Sequence, residues 1–464
     1  MIPELPFETW SSIFRIVVQN DDTTSSCVRL LKVNQRWRRI ASDSPHLWTH
    51  LQIRNTNPSQ AEFYVQHSKN LPIEVEIKLL SSRDGILLLN RGVLSSRNSL
   101  DLTPNIPSVD VDGLARVLSS HVGRMKALRV QVTDHECADK LIALIGRGQP
   151  APILESLHLQ VHGKPSSGAS GASLGARGFP SLQSAFHSTP TLTHLGLPIH
   201  LLPPNISQIF SSSSLTSLTL IASEYSNRGL ALTQITDIIQ SVRNLRTLTF
   251  KSQRGYPFLV HWLPEVDTQL LEAVDVAVDG LSISIIRSLR APILSKVRLD
   301  GKTYQVEGDS SSSSSSRADT PGKQSITILR FLSSRSLPIK ELTLCGIPLH
   351  CYEEECIWLF SDAFPMMEVL RFESTDNLDA LFALTPPGGI PNLQALELYA
   401  CKRINGHGFF EFLEKRVRGF RLEIEDCRNV TRKTLKTLAK LATGNNTGED
   451  WESSSQSRRT FIIL

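Results

Sequence analysis

The sequence predicts an α/β protein in which a small N-terminal helical unit precedes an irregular solenoid with a curved parallel sheet and outer helices. Three observations support this prediction. One six-residue apolar pattern recurs eleven times between residues 125 and 422, prolines precede five of its copies at a fixed distance, and half of the six tryptophans lie in the first 48 of 464 residues. Repeats at such a period are typical of solenoids, whose units bury their apolar faces against one another.

Composition excludes several classes of function. A chain of 464 residues is too long for one ordinary core. Its 49 basic and 45 acidic residues give a net charge of +4, so no electrostatic argument favours nucleic acid or an anionic membrane as a partner. The seven cysteines are odd in number and form no CxxC pair, which favours a reducing compartment, cytoplasmic or nuclear, without disulfides or structural zinc. No apolar run approaches roughly 18 residues, so we expect no membrane span. The sequence contains no GxxxxGK(S/T), HExxH or GxGxxG motif, so we also expect no cofactor.

The N-terminal unit begins with LPFETWSSIF, residues 5–14. Its apolar positions recur at i, i+3, i+4, i+7 and i+8, which predicts an amphipathic helix, and Pro6 suits a helix start. One or two further short helices follow, and HLWTHLQI alternates into a strand from Trp48 to Ile53, with Trp48 in the core. The apolar positions of these helices are Trp10, Ile13, Phe14, Val17, Val18, Val28, Leu31, Trp37, Ile40 and Ala41.

Residues 54–80 predict a helix, a turn and a strand with Ile73, Val75 and Ile77 on one face. A further helix is predicted at 112–122. The rest of 81–124 has no assignment.

The repeated pattern is apolar-x-x-apolar-x-apolar, with most intervals between copies at 23 to 30 residues. Polar residues alternate with its last apolar positions, which predicts a half-buried strand in each copy. Proline stands two residues before five copies, where it ends a helix and favours an extended start. Segments between copies, such as ITDIIQSVRN at 235–244, have helical periodicity. The copies are MKALRV (125), LESLHL (154), LTHLGL (192), LTSLTL (215), LRTLTF (245), LEAVDV (271), LSKVRL (294), IKELTL (339), MEVLRF (367), LQALEL (393) and VRGFRL (417).

A unit of one strand and one helix at this period resembles a leucine-rich repeat. The last two copies continue as LELYACKRI and LEIEDCRNV, so Cys401 and Cys427 each fall three residues after the final strand position. This is similar to the cysteine-containing repeats of many F-box proteins. Polar inserts near 164–178 and 307–323 are expected to be disordered loops. The tail ends in TFIIL, which either adds an edge strand or has no structure.

The start of the chain resembles an F-box, through LP-x-E-x-W-x-x-IF, then V-x-x-x-W-R-x-I-A, then P-x-LW. The resemblance implies that these helices bind the small Skp adaptor of a Skp–cullin–F-box ubiquitin ligase. The alternative is that they only cap the apolar end of the solenoid. The residues that the resemblance assigns to adaptor binding, or to the core of that unit, are Leu5, Pro6, Ile13, Phe14, Leu30, Val33 and Trp37.

Motifs for catalysis and metal binding are weak. GASLG at 171–175 matches G-x-S-x-G, but its flanks are Gly/Ser-rich rather than a strand and a helix, which argues against a nucleophilic Ser173. Cys345, Cys351 and Cys356 lie near His350 at spacings that match no zinc motif. We therefore expect no catalytic residue and no metal site.

These features together predict a non-catalytic substrate receptor with an F-box unit at 1–50, a connecting segment and irregular first repeat at 51–124, a repeat array at 125–442 and a polar tail at 443–464. The implied partners are a Skp-family adaptor, a cullin bound through it and a target protein, with no nucleic acid and no membrane. Two alternatives stay open: a repeat scaffold outside any ligase, and an enzyme with an unrecognised site. The target would contact the concave face through Arg129, His158, Thr219, Thr249, Asp275, Arg298, Thr343, Arg371, Glu397 and Arg421.

Overall fold

The chain is described here by a computed structural model. The structure describes residues 5–19, 25–54, 58–79, 110–133, 135–162, 182, 185–186, 188–199, 214–222, 232–252, 263–301, 320–347, 363–375, 378–383, 385, 390–402, 404, 407–414, 421–427 and 459–463. Ser173, the 164–178 insert, Cys351, Cys356 and His350 lie outside these residues. The fold is α/β and divides into two compact units, Met1–Gln234 and Ile235–Leu464. The boundary between the units falls inside the predicted repeat array.

The first unit opens with three helices, α1 Phe7–Gln19, α2 Ser25–Val33 and α3 Gln35–Ser42, and a 3₁₀ turn at Pro45–Trp48. Rings of Trp10, Phe14 and Trp37 pack together, with centroids 4.9 to 5.8 Å apart. Aromatic pairs at this separation add to the stability from apolar burial. The tryptophans of α1 and α3 therefore form the centre of the helical unit.

Trp48 joins this helical unit to the first strands. Its side chain is fully buried, its Nε1 donates to the Ala41 carbonyl at 2.8 Å, and its ring contacts Phe63 and Tyr64. The prediction that Trp48 is a core residue is confirmed. The predicted strand start was wrong, because Trp48 ends the 3₁₀ turn and β1 runs from His50 to Ile53.

The remainder of the first unit is a parallel sheet with helices between its strands. The strands pair in chain order, each with the next, and all are parallel. The strands are β1, β2 Ile73–Leu79, β3 Met125–Val132, β4 Ser156–Val161, β5 His194–Pro198 and β6 Ser217–Ala222; the helices are α4 Pro58–His67, α5 Val111–Ser119 and α6 His135–Gly146, with a 3₁₀ turn at Val122–Arg124.

The second unit has a parallel sheet of the same kind, ordered β7-β9-β11-β12-β13-β14-β15, and β16 pairs antiparallel with β15. Strands β8 and β10 form a separate parallel pair. The elements are α7 Leu232–Ser241 (which spans the unit boundary), β7 Thr247–Ser252, β8 Val266–Asp267, β9 Ala273–Ala277, α8 Gly280–Ser288, β10 Leu289–Arg290, β11 Lys296–Asp300, α9 Thr320–Ser334, β12 Glu341–Cys345, β13 Val369–Glu373, α10 Leu378–Ala383, β14 Ala395–Tyr399, α11 His407–Glu414, β15 Arg421–Glu425 and β16 Arg459–Ile463.

Ten of the eleven apolar patterns coincide with a strand, which confirms those strand predictions; the eleventh, VRGFRL, shares only Arg421 and Leu422 with β15. In most copies the strand begins two residues after the first apolar position, because a tight turn comes first. In these turns the backbone N–H of the first apolar residue donates to the carbonyl three residues earlier, at 3.1 to 3.2 Å, as seen for Leu154, Leu192, Leu271, Leu294, Met367 and Leu393. A proline in that turn cannot disturb the strand that follows. The predicted helices at 112–122 and 235–244 are α5 and α7.

Two predictions near the inserts and the tail are now decided. The 307–323 insert was extended too far, because α9 begins at Thr320, and Pro321 occupies a first-turn position that needs no N–H partner. The tail sequence TFIIL contributes β16, which covers the edge of β15. An antiparallel strand suits this place, since it pairs the backbone groups that a last parallel strand leaves open.

Candidate interaction surfaces

The N-terminal helices expose five large apolar side chains, which are 36 to 56% exposed and which we call the N-terminal patch: Phe7, Ile13, Ile16, Val17 and Val33. Nine large apolar side chains are exposed among the described residues, and five of them belong to this patch. Isolated exposed apolar residues are ordinary, but a cluster on two neighbouring helices is typical of a surface that binds a partner.

Helix α1 has more apolar side chains than the core of the helical unit buries. Phe14 packs inward and is 1% exposed, whereas Ile13, Ile16 and Val17 point to solvent. The last three lie at i, i+3 and i+4, so they form one continuous stripe on the helix. This stripe is available to a partner.

The seven residues predicted to bind an adaptor separate into two groups. Phe14 and Leu30 are buried in the helical unit and cannot contact a partner directly; for these two residues the structure agrees with the core alternative. Pro6, Ile13 and Val33 are exposed, and Leu5 and Trp37 are half-buried. Sequence periodicity missed Ile16, which is 56% exposed and extends the same stripe.

Local hydrogen bonds position the two sides of this surface. The Asn34 side chain caps α3 by accepting from the Trp37 N–H at 2.8 Å, which fixes the start of that helix beside Val33. The Arg36 Nη2 donates to the Leu5 carbonyl at 3.1 Å and attaches the chain before α1 to α3. The patch therefore lies on a defined arrangement of helices.

Basic residues border the patch. Residues 25–42, which include α2 and α3, contain Arg29, Lys32, Arg36, Arg38 and Arg39 and no acidic residue. All five side chains are exposed. Arg29 and Val33 are four residues apart on α2 and so share one helix face. A partner with an acidic border around an apolar centre would complement this surface.

The predicted target-binding residues of the first unit align across its sheet. Arg129 pairs in register with His158, and His158 with Gly196, which pairs with Thr219. We call this line, which continues to Glu76 on β2, the first central row. Glu76 and Gly196 were missed, although IEVEI and LTHLGL place them at the same strand position.

His158 and Gly196 fit each other closely. A Cβ built on Gly196 would lie 2.2 Å from His158 Cδ2, so the imidazole ring occupies the space above the glycine. Gly196 therefore lets the ring lie flat along the row, which a larger residue on β5 would prevent.

In the second unit, the same strand position forms a second central row. Six of the residues predicted to bind a target are in register with one another in this row, and one further residue, Glu423, was not predicted. The row is Thr249, Asp275, Arg298, Thr343, Arg371, Glu397 and Glu423.

Arg421 does not belong to this row. It pairs with Ala395, and Glu423 takes the place opposite Glu397. The prediction was displaced by two residues because the true repeat, GFRLEI, has Gly419 at its first apolar position. Arg421 still lies on the same face of β15, and its Nη2 donates to Glu397 Oε1.

A charged network crosses the second central row. Arg298 forms a two-fold hydrogen bond with Glu373, at 2.6 and 2.7 Å, and its Nε lies 3.5 Å from Asp275. Arg371 contacts the same Glu373 at 2.8 Å and Glu397 at 3.6 Å. Bidentate pairs of this kind hold both side chains in one geometry. Arg298 and Arg371 therefore organise this face and are not free cations.

The network shifts the pKa values of its members. The Arg298 hydrogen bonds lower the pKa of Glu373, and the same contact raises the pKa of Arg298. Burial raises the pKa of Asp275, against the opposing effect of Arg298. Burial and a hydrogen bond from its hydroxyl to Glu423 Oε1, at 2.6 Å, raise the pKa of Tyr399 to about 12. The Arg298–Glu373 contact therefore favours the charged form of both partners, whereas burial disfavours the charged form of Asp275.

A second line of polar side chains follows the ends of β13, β14 and β15. The Cys401 sulfur lies 3.4 Å from the Phe372 and Tyr399 carbonyl oxygens, and the Cys427 sulfur lies 3.4 to 3.5 Å from those of Leu398 and Glu425, so each thiol can donate its one proton to either neighbour. Thr375 makes the same pair of contacts one strand earlier, to Leu344 and Glu373. The two cysteines therefore belong to a three-membered ladder whose threonine was missed in the sequence.

Cys345 ends β12 and is fully buried, as predicted. Within the described part of the chain, no three His, Cys, Asp or Glu side chains cluster in a way that could hold a metal ion. None of the described helices combines the length and apolar character needed to cross a membrane. No protein-family model matches the chain, and no curated protein matches it significantly.

Proposed function

We propose that this chain is the substrate-recognition subunit of a Skp–cullin–F-box ubiquitin ligase. The observation that carries the proposal is the exposed apolar patch on the N-terminal helices, at the residues where the sequence resembles an F-box. A helical unit that only capped a repeat array would have no need to keep five large apolar side chains at its surface.

In this proposal, the Skp adaptor covers the patch and binds a cullin in turn. Ile13, Ile16, Val17 and Val33 would provide the apolar contacts, with Leu5, Pro6 and Trp37 at their margin. Phe14 and Leu30 would act from beneath, by holding α1 and α2 in place. Burial of the patch would contribute roughly 25 cal/mol for each Å² of apolar surface removed from water.

The two parallel sheets would be the array of a leucine-rich-repeat solenoid, and their central rows would face the target. The chain itself would be non-catalytic, because ubiquitin transfer would be performed by other subunits. Its contribution would be proximity, which raises the effective concentration of target lysines near the loaded conjugating enzyme. Such a complex would operate in the cytoplasm, the nucleus or both. The mixed charges of the rows favour no single class of target.

The proposal is tested by co-purification with a recombinant Skp adaptor. The informative variant is Ile13→Ser with Val33→Ser, because both side chains are exposed and their loss should leave the fold intact. Leu71→Ser is the matched control, since Leu71 is also exposed but lies between α4 and β2. Phe14→Ala is a poor test, because loss of a buried Phe costs about 3–5 kcal/mol of stability and would unfold the unit.

We expect wild type and Leu71→Ser to bind the adaptor, and the double variant to lose binding while its circular dichroism is unchanged. If well-folded wild type does not bind, the ligase proposal fails. The repeat array would then be better described as a protein-interaction scaffold outside any ligase.

A further inference from the structure

A second apolar surface lies in the second unit, away from the N-terminal patch in the sequence. Leu270, Ile293 and Met366 are 38 to 49% exposed and account for three of the four remaining exposed large apolar residues. They lie in the turns that precede β9, β11 and β13. Pro338 holds the matching position before β12 and is half-buried. We call Leu270, Ile293, Pro338 and Met366 the apolar ridge.

Strand register makes the ridge continuous. Each ridge residue lies three positions before a residue that is in register with its neighbour on the adjacent strand. These in-register residues are Ala273, Lys296, Glu341 and Val369. Backbone hydrogen bonds carry the register into the turns, from Ser295 to Glu272, Lys340 to Ser295 and Glu368 to Lys340, at 2.8 to 2.9 Å. Neighbouring strands are about 4.8 Å apart, so the ridge presents an apolar side chain about every 5 Å across the strands.

The turn itself does not require an apolar residue there. Three residues before β7 and β14, where the ridge would have an apolar residue, the chain has Asn244 and Asn392. The Asn392 Nδ2 donates to the Pro365 carbonyl at 2.7 Å. Before β5 the position holds Thr191, whose Oγ1 donates to the Pro152 carbonyl at 3.0 Å. Polar residues that bond to nearby backbone are what such turns favour. Ile153 holds this position before β4, so an apolar residue also occurs there once in the first unit. In the second unit the ridge is bounded by an asparagine at each end.

The charges beside the ridge cancel. The residues two positions after the ridge residues form a neighbouring line of Glu272, Ser295, Lys340 and Glu368. Arg246, just before β7, continues this line on the adjacent strand. Arg246 pairs with Glu272, and Lys340 with Glu368 at 2.8 Å. Two cations and two anions give this flank no net charge, so it complements a partner that also carries both signs.

We propose that the ridge binds an amphipathic α-helix of a partner protein, with apolar residues at i, i+3 or i+4, and i+7 and with no net charge. One helical turn rises 5.4 Å, which nearly matches the step of the ridge. An extended segment repeats its same-face side chains about every 6.7 Å and would fall out of step by the second contact. The proposal concerns residues of the second unit and holds whether or not the N-terminal helices bind a Skp adaptor.

The test uses the full chain and a fluorescent peptide of about three to four helical turns, with leucines at helical spacing and equal numbers of Lys and Glu. A second peptide has the same composition with its leucines in alternation. The ridge variant is Leu270→Ser with Met366→Ser, since serine suits these turns. Leu71→Ser is the matched control, because it removes an exposed apolar side chain elsewhere.

We expect the helical peptide to bind wild type and the Leu71→Ser control with equal affinity, and to bind the ridge variant at least about tenfold more weakly. Raising the salt concentration should change its Kd by less than about threefold, because the flank is neutral. The proposal is overturned if folded wild type does not bind this peptide, if the alternating peptide binds equally well, or if the control loses as much affinity. It is also overturned if sedimentation shows a dimer that only the ridge variant breaks, since the occupant would then be a second copy.

Discussion

At the scale of single residues, the His158 ring lies where a side chain on Gly196 would have to be, since a Cβ there would be 2.2 Å from His158 Cδ2. Gly196→Ala should destabilise the chain by about 1–3 kcal/mol, because the new methyl group would displace the imidazole ring. The same change in a His158→Ala background should be neutral or slightly stabilising, since alanine suits a strand better than glycine. Urea unfolding of the four chains measures the coupling, and an equal cost in both backgrounds would contradict the contact.

Glu373 should give the second unit a pH-dependent stability. Two arginines lower its pKa in the folded state, so its contribution is present above the unfolded value, near 4.5, and is lost as pH falls through the folded pKa. Glu373→Gln should therefore cost about 1–3 kcal/mol at neutral pH and less in acid.

The matched control for Glu373 is Glu341→Gln, which removes the partner of Lys296 from an exposed pair. Exposed pairs contribute only about 0–1 kcal/mol. Urea midpoints between neutral and acidic pH measure both variants. A difference between wild type and Glu373→Gln that does not shrink in acid would show that the carboxylate is not the source of the effect.

The sequence identified apolar residues well but could not tell which of them face a partner. Ile13 and Phe14 are adjacent in one predicted helix face, yet one is exposed and the other is in the core. The difference depends on where α3 brings Trp37, which is a tertiary contact that periodicity does not contain. For the same reason, Glu373 could not be recognised as the acid that two arginines share.

At the scale of elements, the ladder after β13, β14 and β15 needs a side-chain donor at each step. Thr375 fills the first step with a hydroxyl, so Cys401→Thr should keep the hydrogen bonds and cost less than about 1 kcal/mol. Cys401→Val has a similar size but no donor. It would remove the thiol contact to the Phe372 carbonyl, while the Tyr399 carbonyl still accepts from the Ser374 N–H at 2.8 Å, so it should cost about 0.5–1.5 kcal/mol more than Cys401→Thr. Thermal unfolding followed by circular dichroism separates the two variants. Equal losses would indicate that packing, not donation, determines this position.

Strand positions were the most predictable elements, because alternation and the preceding prolines both mark them. The register of the last pattern was not predictable, since Gly419 breaks it and VRGFRL offers a competing match two residues earlier. Strand β16 was undecided for a similar reason. Five apolar or β-branched residues form a strand only where an open sheet edge is available to pair with them.

At the scale of the whole molecule, eight of the nine large apolar side chains exposed in the described part of the chain belong to two surfaces with different electrostatic borders. The N-terminal patch adjoins five basic residues and two acids, Glu8 and Asp43, of which Asp43 lies 3.9 Å from Arg39, so its border has a net positive charge. The flank of the apolar ridge is neutral. Overall composition hides this contrast, because a net charge of +4 over 464 residues averages the two. Binding at the N-terminal patch should therefore respond to salt, and binding at the ridge should not.

The N-terminal border should act mainly on the rate of association. Arg29→Glu with Lys32→Glu reverses two charges beside Val33 and should slow adaptor binding about tenfold at low salt, with little change in dissociation. Arg116→Glu with Arg243→Glu makes the same change in net charge at exposed sites elsewhere, on α5 and just after α7, and should have little effect. Surface plasmon resonance at several salt concentrations measures both rates. If the two double variants slow association equally, net charge rather than this border steers the partner; if neither does, the partner approaches the apolar patch without electrostatic guidance.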